Sequence, residues 1–436
     1  MAYILFGNKT WVIRLPAFFA GILLVPASYL LIRSFYNKHA ALLTAGSVAS
    51  SSLLIEYSTN ARGYTLICLF FLLILTLAKY LKENRNSFAW LLFAALSTIG
   101  FYTIPVMLYP FGVVVVWFLL SITFKDTNLN PSLLLKDLFS ALIMIALFTF
   151  MLYLPVLIIS GLESVIGNKF VTPQPWSSLV TQFTALLHLV WKKWNRDIPI
   201  GIDIVFISGF FISLAFHKRL TTQCIPIILA VPIWCIPILT VQRIVPPERV
   251  WLFLLPLYIG AASSGVSYIL KRVESKIGLT SSRCTYSKPG ESIGNSISII
   301  LSLALSLLLS FNVIHNKSIY YSDEGGPLRD AEEITIFLKN YLMPGDRVMV
   351  TGVSDSLLEY YFNLHGLPVR HLYLNLDFSH RILAVVNKSE NQTIEKVLNE
   401  AGLSTTGFSI PRVIKQYPSA ALYEIKRYDI YPHHKT

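Results

Sequence analysis

The chain has 436 residues, of which 54% are hydrophobic and only 14% charged, and its formal net charge is +12. Soluble domains carry roughly 25% charged residues, so this composition excludes an ordinary water-soluble protein and points to one embedded in a membrane. In such a chain a cationic excess marks cytoplasmic loops, not a nucleic-acid surface.

Up to residue 315 there are about ten apolar stretches able to cross a hydrocarbon core about 30 Å thick. They lie at 12–32, 40–56, 64–81, 88–103, 105–124, 138–160, 202–217, 223–240, 249–270 and 293–314. The stretches 40–56 and 88–103 are the weakest, being short or rich in Ser, Thr and Gly. Met1 is followed by neither a basic region nor a small-residue cleavage pattern, so no cleavable signal peptide is expected. Cys68, Cys224 and Cys235 fall in apolar segments and Cys284 in a basic loop, which suggests no disulfide framework.

Cations set the expected orientation. Arg33, Lys38, Lys82, Arg85, Lys125, Lys136, Lys218, Arg219, Lys271, Arg272, Lys276, Arg283 and Lys288 fall in alternate loops, which are cytoplasmic by the positive-inside rule. The other set holds 56–64, 161–200, 241–248 and everything after 315, and so faces outside. The sequons at Asn8, Asn316, Asn387 and Asn391 lie on this outer side, weak support because such short motifs arise by chance. On this count the first ten residues begin outside, so either an upstream helix is expected or one of the weak stretches does not span and the parity before it flips.

Between the second and third stretches runs Glu56–Tyr64, EYSTNARGY. A carboxylate, an amide, a guanidinium and two phenols pinned between membrane segments sit at the bilayer surface or line a wet cavity. Arg62 offers a planar donor fork suited to phosphate. The plain alternative is an interfacial loop with snorkelling ends.

The outer segment 161–200 carries Trp176, His188, Trp191, Lys192, Lys193, Trp194, Arg196 and Asp197. Aromatics beside cations suit sugars and anions. The stretch 180–194 also reads as an amphipathic interfacial helix, and His188, Trp191 and Trp194 would be the lid residues if it covered a site. Glu248 is expected to pair with its neighbour Arg249. His365, His371 and His380 lack metal-ligand spacing, and His433-His434 sits in the tail.

The chain is expected to divide into 1–315, a transmembrane domain, and 316–436, an α/β domain. The tail pattern predicts a helix at 328–341, a turn at Pro344-Gly345-Asp346, strands at 347–352, 369–374, 381–387 and 421–428, and helices at 355–366 and about 392–402. Alternation of strand and helix predicts a mostly parallel sheet. Neither G-x-G-x-x-G nor G-x-x-x-x-G-K-[ST] occurs there, so nucleotide binding has no support.

EYSTNARGYTL resembles the Y-[ST]-x-[EN]-A-R-x-Y segment of polyprenyl-phosphate-dependent GT-C glycosyltransferases, among them protein O-mannosyltransferases and the lipid A aminoarabinose transferase. Residues 5–31, with Arg14-Leu15-Pro16 and Gly21, look like that family's second membrane helix and its lead-in. Residues 246–262, PPERVWLFLLPLYIGAA, are similar to its late P-x-R-Y segment, with Arg249 in the Arg place and Val250 where an aromatic is common. Residues 329–350 resemble the extracytoplasmic domain of many members. The resemblance implies a polytopic α-helical protein of the inner or plasma membrane with an extracytoplasmic C-terminal α/β domain. It also implies sugar transfer on the outer face, from a polyprenyl-phosphate donor to a lipid, glycan or protein acceptor, with membrane lipids as further partners.

Such transfer needs a base on the acceptor, cationic or metal stabilisation of the departing phosphate, and a groove for the lipid. Arg62 and Arg249 are the first candidates for phosphate contacts, followed by Arg243. Tyr57, Asn60 and Tyr64 complete the substrate-binding set, and Glu56 and Asn60 are candidates for metal or sugar hydroxyls. A divalent metal ion is the one cofactor this reading admits. Family members carry an acid in the first outer loop, and residues 1–11 contain none. The expectation is therefore that the base-bearing helix and loop are missing, with Glu56 as the fallback. Two other classes compete: a transporter or flippase of lipid-linked saccharides, and an inactive truncated paralogue. Mid-segment charge is almost absent and no internal repeat is evident, which disfavours the transporter.

Overall fold

The computed structural model describes residues 7, 9–162, 173–276, 289–319, 328–351, 354–373, 381–400 and 409–426. Asn8, His380 and His433-His434 lie outside them. The chain divides into two compact units, Arg14–Tyr321 and Met1–Ile13 with Ser322–Thr436.

The first unit is helical. In chain order its helices are α1 (Thr10–Phe35), α2 (Lys38–Ala49), α3 (Ser52–Thr59), α4 (Tyr64–Glu83), α5 (Ser87–Thr103), α6 (Leu108–Thr123), α7 (Pro131–Ser160), α8 (Trp176–Trp194), α9 (Ile200–Ala215), α10 (His217–Leu220), α11 (Ala230–Gln242), α12 (Leu254–Lys276) and α13 (Pro289–His315). Among the described residues, five stretches are long and apolar enough to cross a membrane: Thr10–Phe35, Tyr64–Glu83, Pro105–Thr123, Pro131–Ser160 and Glu248–Val273. The pair α2 and α3 passes the same test together, bent by 55°, and shorter apolar helices occupy 87–103, 200–215, 227–242 and 299–315. Each apolar stretch read from the sequence lies on one of these elements. The protein is an integral membrane protein.

Serine explains the bend. Ser50 turns its hydroxyl back onto the Gly46 carbonyl (2.7 Å), and Ser51 is extended (φ −70°, ψ 117°) before α3 begins. Hydroxyls that bond the local backbone compete with the helical ladder. The break redirects the chain just before Glu56. Close packing relies on small residues. A Cβ on Gly21 of α1 would lie 2.4 Å from Ser58 Cβ, and one on Gly265 of α12 would lie 1.9 Å from the Gly209 carbonyl oxygen of α9. The Glu248–Val273 span is the enclosed centre, with 89% of its apolar window buried, whereas only 6% of the Pro131–Ser160 window is buried, leaving α7 to face lipid.

At the far end from Glu56, Lys82 departs from expectation. Charge counting places it in a loop, yet its side chain is 2% exposed and pairs with Asp126 at 2.8 Å. It stands over the Trp117 ring (5.0 Å), whose Nε1 donates to the Ile225 carbonyl (3.1 Å), and Asp126 also accepts from the Cys224 N–H (3.0 Å). The buried charge is thus matched by a carboxylate and an aromatic face, as burial of an ion requires.

The second unit is a layered α/β domain with α14 (Ala331–Tyr341), β1 (Asp346–Met349), α15 (Ser354–His365), α16 (Arg370–Tyr373), β2 (Arg381–Asn387), α17 (Ile394–Glu400), β3 (Arg412–Gln416) and β4 (Ala420–Lys426). The sheet order is β1-β2-β4-β3. RILAVVN is apolar on both faces because it is central. Leu383 and Val385 pack towards α14 and α15, while Ile382, Ala384 and Val386 pack towards α17. Arg381, at its start, pairs with Asp346 and with Glu424 (3.1 Å), tying β1, β2 and β4 together.

Two expectations about the tail are corrected. The sheet is not mostly parallel: β1 pairs parallel with β2, but β2–β4 and β3–β4 are antiparallel. Residues 370–373 of the expected strand VRHLYL form a helical turn, initiated after Pro368, whose carbonyl accepts the His371 N–H (3.2 Å). His371 and Leu372 are both buried, which strand alternation forbids for neighbours on a one-sided strand, and the His371 ring meets the Asp346 carbonyl at 2.7 Å. Strand β3 escaped the sequence reading because it is an exposed edge with no buried face to set a period of two.

Candidate functional site

Glu56–Tyr64 spans the last turn of α3, the irregular turn 60–63 and the first residue of α4. Asn60 shapes the turn. Its Oδ1 accepts the Arg62 backbone N–H at 3.2 Å, the local bond that Asn side chains favour. Asn60 is 8% exposed, and its Nδ2 has no hydrogen-bond partner among the described residues. Gly63 is fixed by space: a Cβ there would lie 2.7 Å from Thr103 Cγ2 at the end of α5.

The structure brings several expected residues together. Tyr57 is buried and meets Tyr64 edge to face at 5.8 Å between ring centroids. Arg249, at the start of the turn that leads into α12, donates from Nε to the Tyr64 hydroxyl at 3.0 Å. The late P-x-R segment and EYSTNARGY therefore meet at Tyr64, although 185 residues separate the bonded pair. Arg62 lies two residues from that phenol and is half-buried.

Glu56 is occupied in another way. It is 2% exposed and pairs with Arg196, just beyond the end of α8. Ser52 donates its hydroxyl to the Arg196 carbonyl at 3.2 Å. The next residue, Asp197, has a left-handed backbone (φ 68°), accepts from Asn316 Nδ2 at 2.9 Å on its carboxylate, and from Asn312 Nδ2 at 3.2 Å on its carbonyl. Arg196 and Asp197 thus staple the bent helix pair to α13. Sequence reasoning put both residues in an aromatic and cationic stretch but did not find this role. The signal available was a lone acid, Glu56, in a segment otherwise without one.

Helix α8 is amphipathic as expected. Leu186 and Val190 are its buried residues, His188 is exposed, and Trp191 and Trp194 lean on the Tyr258 ring at 5.7 and 5.8 Å. Glu248, expected to pair with Arg249, instead holds Lys193 of α8 at 2.6 Å among the described residues. Backbone order explains the swap: Glu248 opens a 3₁₀ turn, so adjacent side chains diverge and each meets a different neighbour. Arg243 stands apart. It is exposed, left-handed (φ 52°), and lies 6.0 Å from the Trp176 ring at the start of α8.

Two hollows flank the segment. A cleft beneath the end of α8 is lined by Ser50, Ser52, Trp194, Arg196, Asp197 and Tyr258. An apolar groove of about 250 Å³ runs along Phe18, Gly21, Ile22, Leu54 and Ile55 and ends at Ser58 and Thr59. Among the described residues, no three His, Cys, Asp or Glu side chains come together as a metal site. Glu56 and Asn60, the candidates for a metal, supply by themselves fewer donors than a divalent ion requires.

Residues 1–153 match the family model described as Dolichyl-phosphate-mannose-protein mannosyltransferase. Over 97% of its length the chain superposes on 85% of apo ArnT from Cupriavidus metallidurans, with a TM-score of 0.53 and 11% identity. It also superposes on the same protein bound to undecaprenyl phosphate, with the same coverage of both chains, a TM-score of 0.50 and 13% identity. The archaeal oligosaccharyltransferase AglB from Archaeoglobus fulgidus, in complex with an inhibitory peptide and a dolichol-phosphate, superposes with a TM-score of 0.52 and 10% identity, over 88% of this chain and 60% of that one. The chain shares the fold of these proteins, the GT-C fold. Among proteins of curated function, none matches it in sequence. Within the GT-C frame, α3, α4 and the turn before α12 carry the polar residues described above, and the C-terminal α/β unit accompanies the helical one.

Proposed function

We propose that the protein is a membrane glycosyltransferase that takes its sugar from a polyprenyl-phosphate donor on the outer face, with Arg62 and Arg249 as the groups that meet the phosphate. The observation that carries this reading is the meeting of EYSTNARGY with the Pro-Pro-Glu-Arg turn at Tyr64, a residue two positions along the chain from Arg62 whose hydroxyl accepts from Arg249. A departing phosphate gains most from cations already held in place, because nothing then reorganises as charge develops. Tyr64 orders Arg249, and Asn60 orders the turn that bears Arg62. The buried Asn60 amide donor, with no partner among the described residues, suits a ligand oxygen. The apolar groove that ends at Ser58 and Thr59 suits the hydrocarbon of such a donor.

Glu56 is read as an anchor. Its carboxylate is shut from solvent and engaged by Arg196, which opposes a role as general base. Acceptors of lipid, glycan or protein type all remain within the reading, with α8 as the element that would cover them. The test is photo-crosslinking with a polyprenyl phosphate that carries a diazirine near its head group. The adducts should map to 56–64 and 246–253 and fall away when unlabelled polyprenyl phosphate competes. Adducts spread evenly over the apolar helices would overturn the assignment.

A further inference from the structure

At the opposite end of α9 and α12 lies a second cationic site that the transfer reading does not use. Its geometry begins with two glycines. Gly209 and Gly265 let the backbones of α9 and α12 touch, since a Cβ at 265 would sit 1.9 Å from the Gly209 carbonyl oxygen. Beyond that contact the helices cannot diverge far, and Phe216 and Tyr268 stack with centroids 5.4 Å apart and planes 28° apart. Each ring holds an arginine. The Arg219 guanidinium lies 5.5 Å from the Phe216 centroid, and that of Arg272 lies 5.2 Å from the Tyr268 centroid.

The two cations converge on one hydroxyl. Arg272 Nη2 donates to Tyr268 Oη at 2.9 Å, and Arg219 faces the same oxygen. Both arginines are exposed, and Lys218 and Lys271 precede them in sequence. An anion arriving between the two guanidiniums is attracted by both charges at once. Stacking on the rings holds both guanidinium planes, so less side-chain freedom is lost when they bind. Arg272 lies 18 positions beyond Leu254 along the helix, a rise of about 27 Å at 1.5 Å per residue, so this site is far from Arg249. Its place at the end of two apolar helices puts it at the level of lipid head groups.

We propose that Arg219 and Arg272, ordered by Phe216 and Tyr268, form a binding site for the phosphate of a membrane lipid. The ligand chemistry is a phosphate monoester or diester on a hydrocarbon anchor. An anionic phospholipid and a polyprenyl phosphate both carry it.

The experiment uses the full chain in nanodiscs, with retained lipid read by native mass spectrometry. Four lipid arms in a phosphatidylcholine background separate the sources: phosphatidylglycerol, phosphatidic acid, a polyprenyl phosphate, and none. Because a polyprenyl phosphate is also expected near Arg62, that arm is run in an Arg62→Ala background. At least one phosphate lipid should be retained at least ten-fold over phosphatidylcholine, and the preferred arm identifies the source. Arg219→Gln with Arg272→Gln should abolish the preference. Lysine at both positions should retain only part of it, since the charge stays but the planar stacked fork is lost. Lys136→Gln, an exposed cation in the first turns of α7, should leave it unchanged. Equal retention in the double Gln variant, or an equal loss in Lys136→Gln, would overturn the proposal and reduce the effect to diffuse surface charge.

Discussion

At the scale of single residues, the few charges inside the helical unit are defined by the partners they find. Glu56 finds Arg196, Glu248 finds Lys193, and Arg249 finds Tyr64. The residue types were legible in the sequence, since an acid, an amide and a guanidinium between two membrane stretches demand partners or a cavity. The partners were not legible, because each lies more than 50 residues away and no local rule links them. A hydrogen bond to a charged group is worth about 1–3 kcal/mol. Replacing Glu56 by Gln should lower stability by about that amount, and Arg196→Gln should do the same. The double variant should lose clearly less than the sum, because each single change removes the same interaction. Thermal unfolding in detergent measures this cycle. Strict additivity would mean that the pair contributes nothing.

At the scale of elements, the two units teach different lessons. Membrane helices announce themselves by length and apolarity, and every expected stretch became a helix. The break between α2 and α3 was foreshadowed only by a serine-rich run and a weak apolar score, yet it places Glu56. In the tail, β2 was legible because a central strand is apolar throughout, whereas β3 was hidden because its side chains are exposed on both faces. VRHLYL misled because Pro368 starts a helical turn that a strand reading ignores. The buried clusters on the two faces of the sheet are self-contained, with Leu358, Phe362 and Leu383 on one side and Val397 and Ile382 on the other. Residues 318–436 expressed alone should therefore be soluble and show mixed helix and strand by circular dichroism. Val385→Asp, which buries an unpaired carboxylate in the central strand, should unfold that product. A disordered wild-type fragment would show that the tail depends on the rest of the chain.

At the scale of the whole molecule, charge bias supports the proposed orientation, and the proposed transfer site and lipid site fall at opposite ends of α12. In a background without native cysteines, Ser356→Cys in the tail should react with an impermeant maleimide from outside, and Lys125→Cys should not. Both positions are exposed, so the pattern reports sidedness and not burial. The reverse pattern would invert the topology and move the transfer site to the cytoplasm. The central claim is that Arg62 meets a lipid-borne phosphate, and equilibrium binding of a fluorescent polyprenyl phosphate to the reconstituted chain tests it most directly. Binding does not need the catalytic base, so it isolates the phosphate contact. Arg62→Ala should weaken binding at least ten-fold, and Arg62→Lys, which keeps the charge but loses the bidentate fork, should fall between. Unchanged affinity in Arg62→Ala, with the Arg219 and Arg272 site also replaced by Gln, would contradict the account.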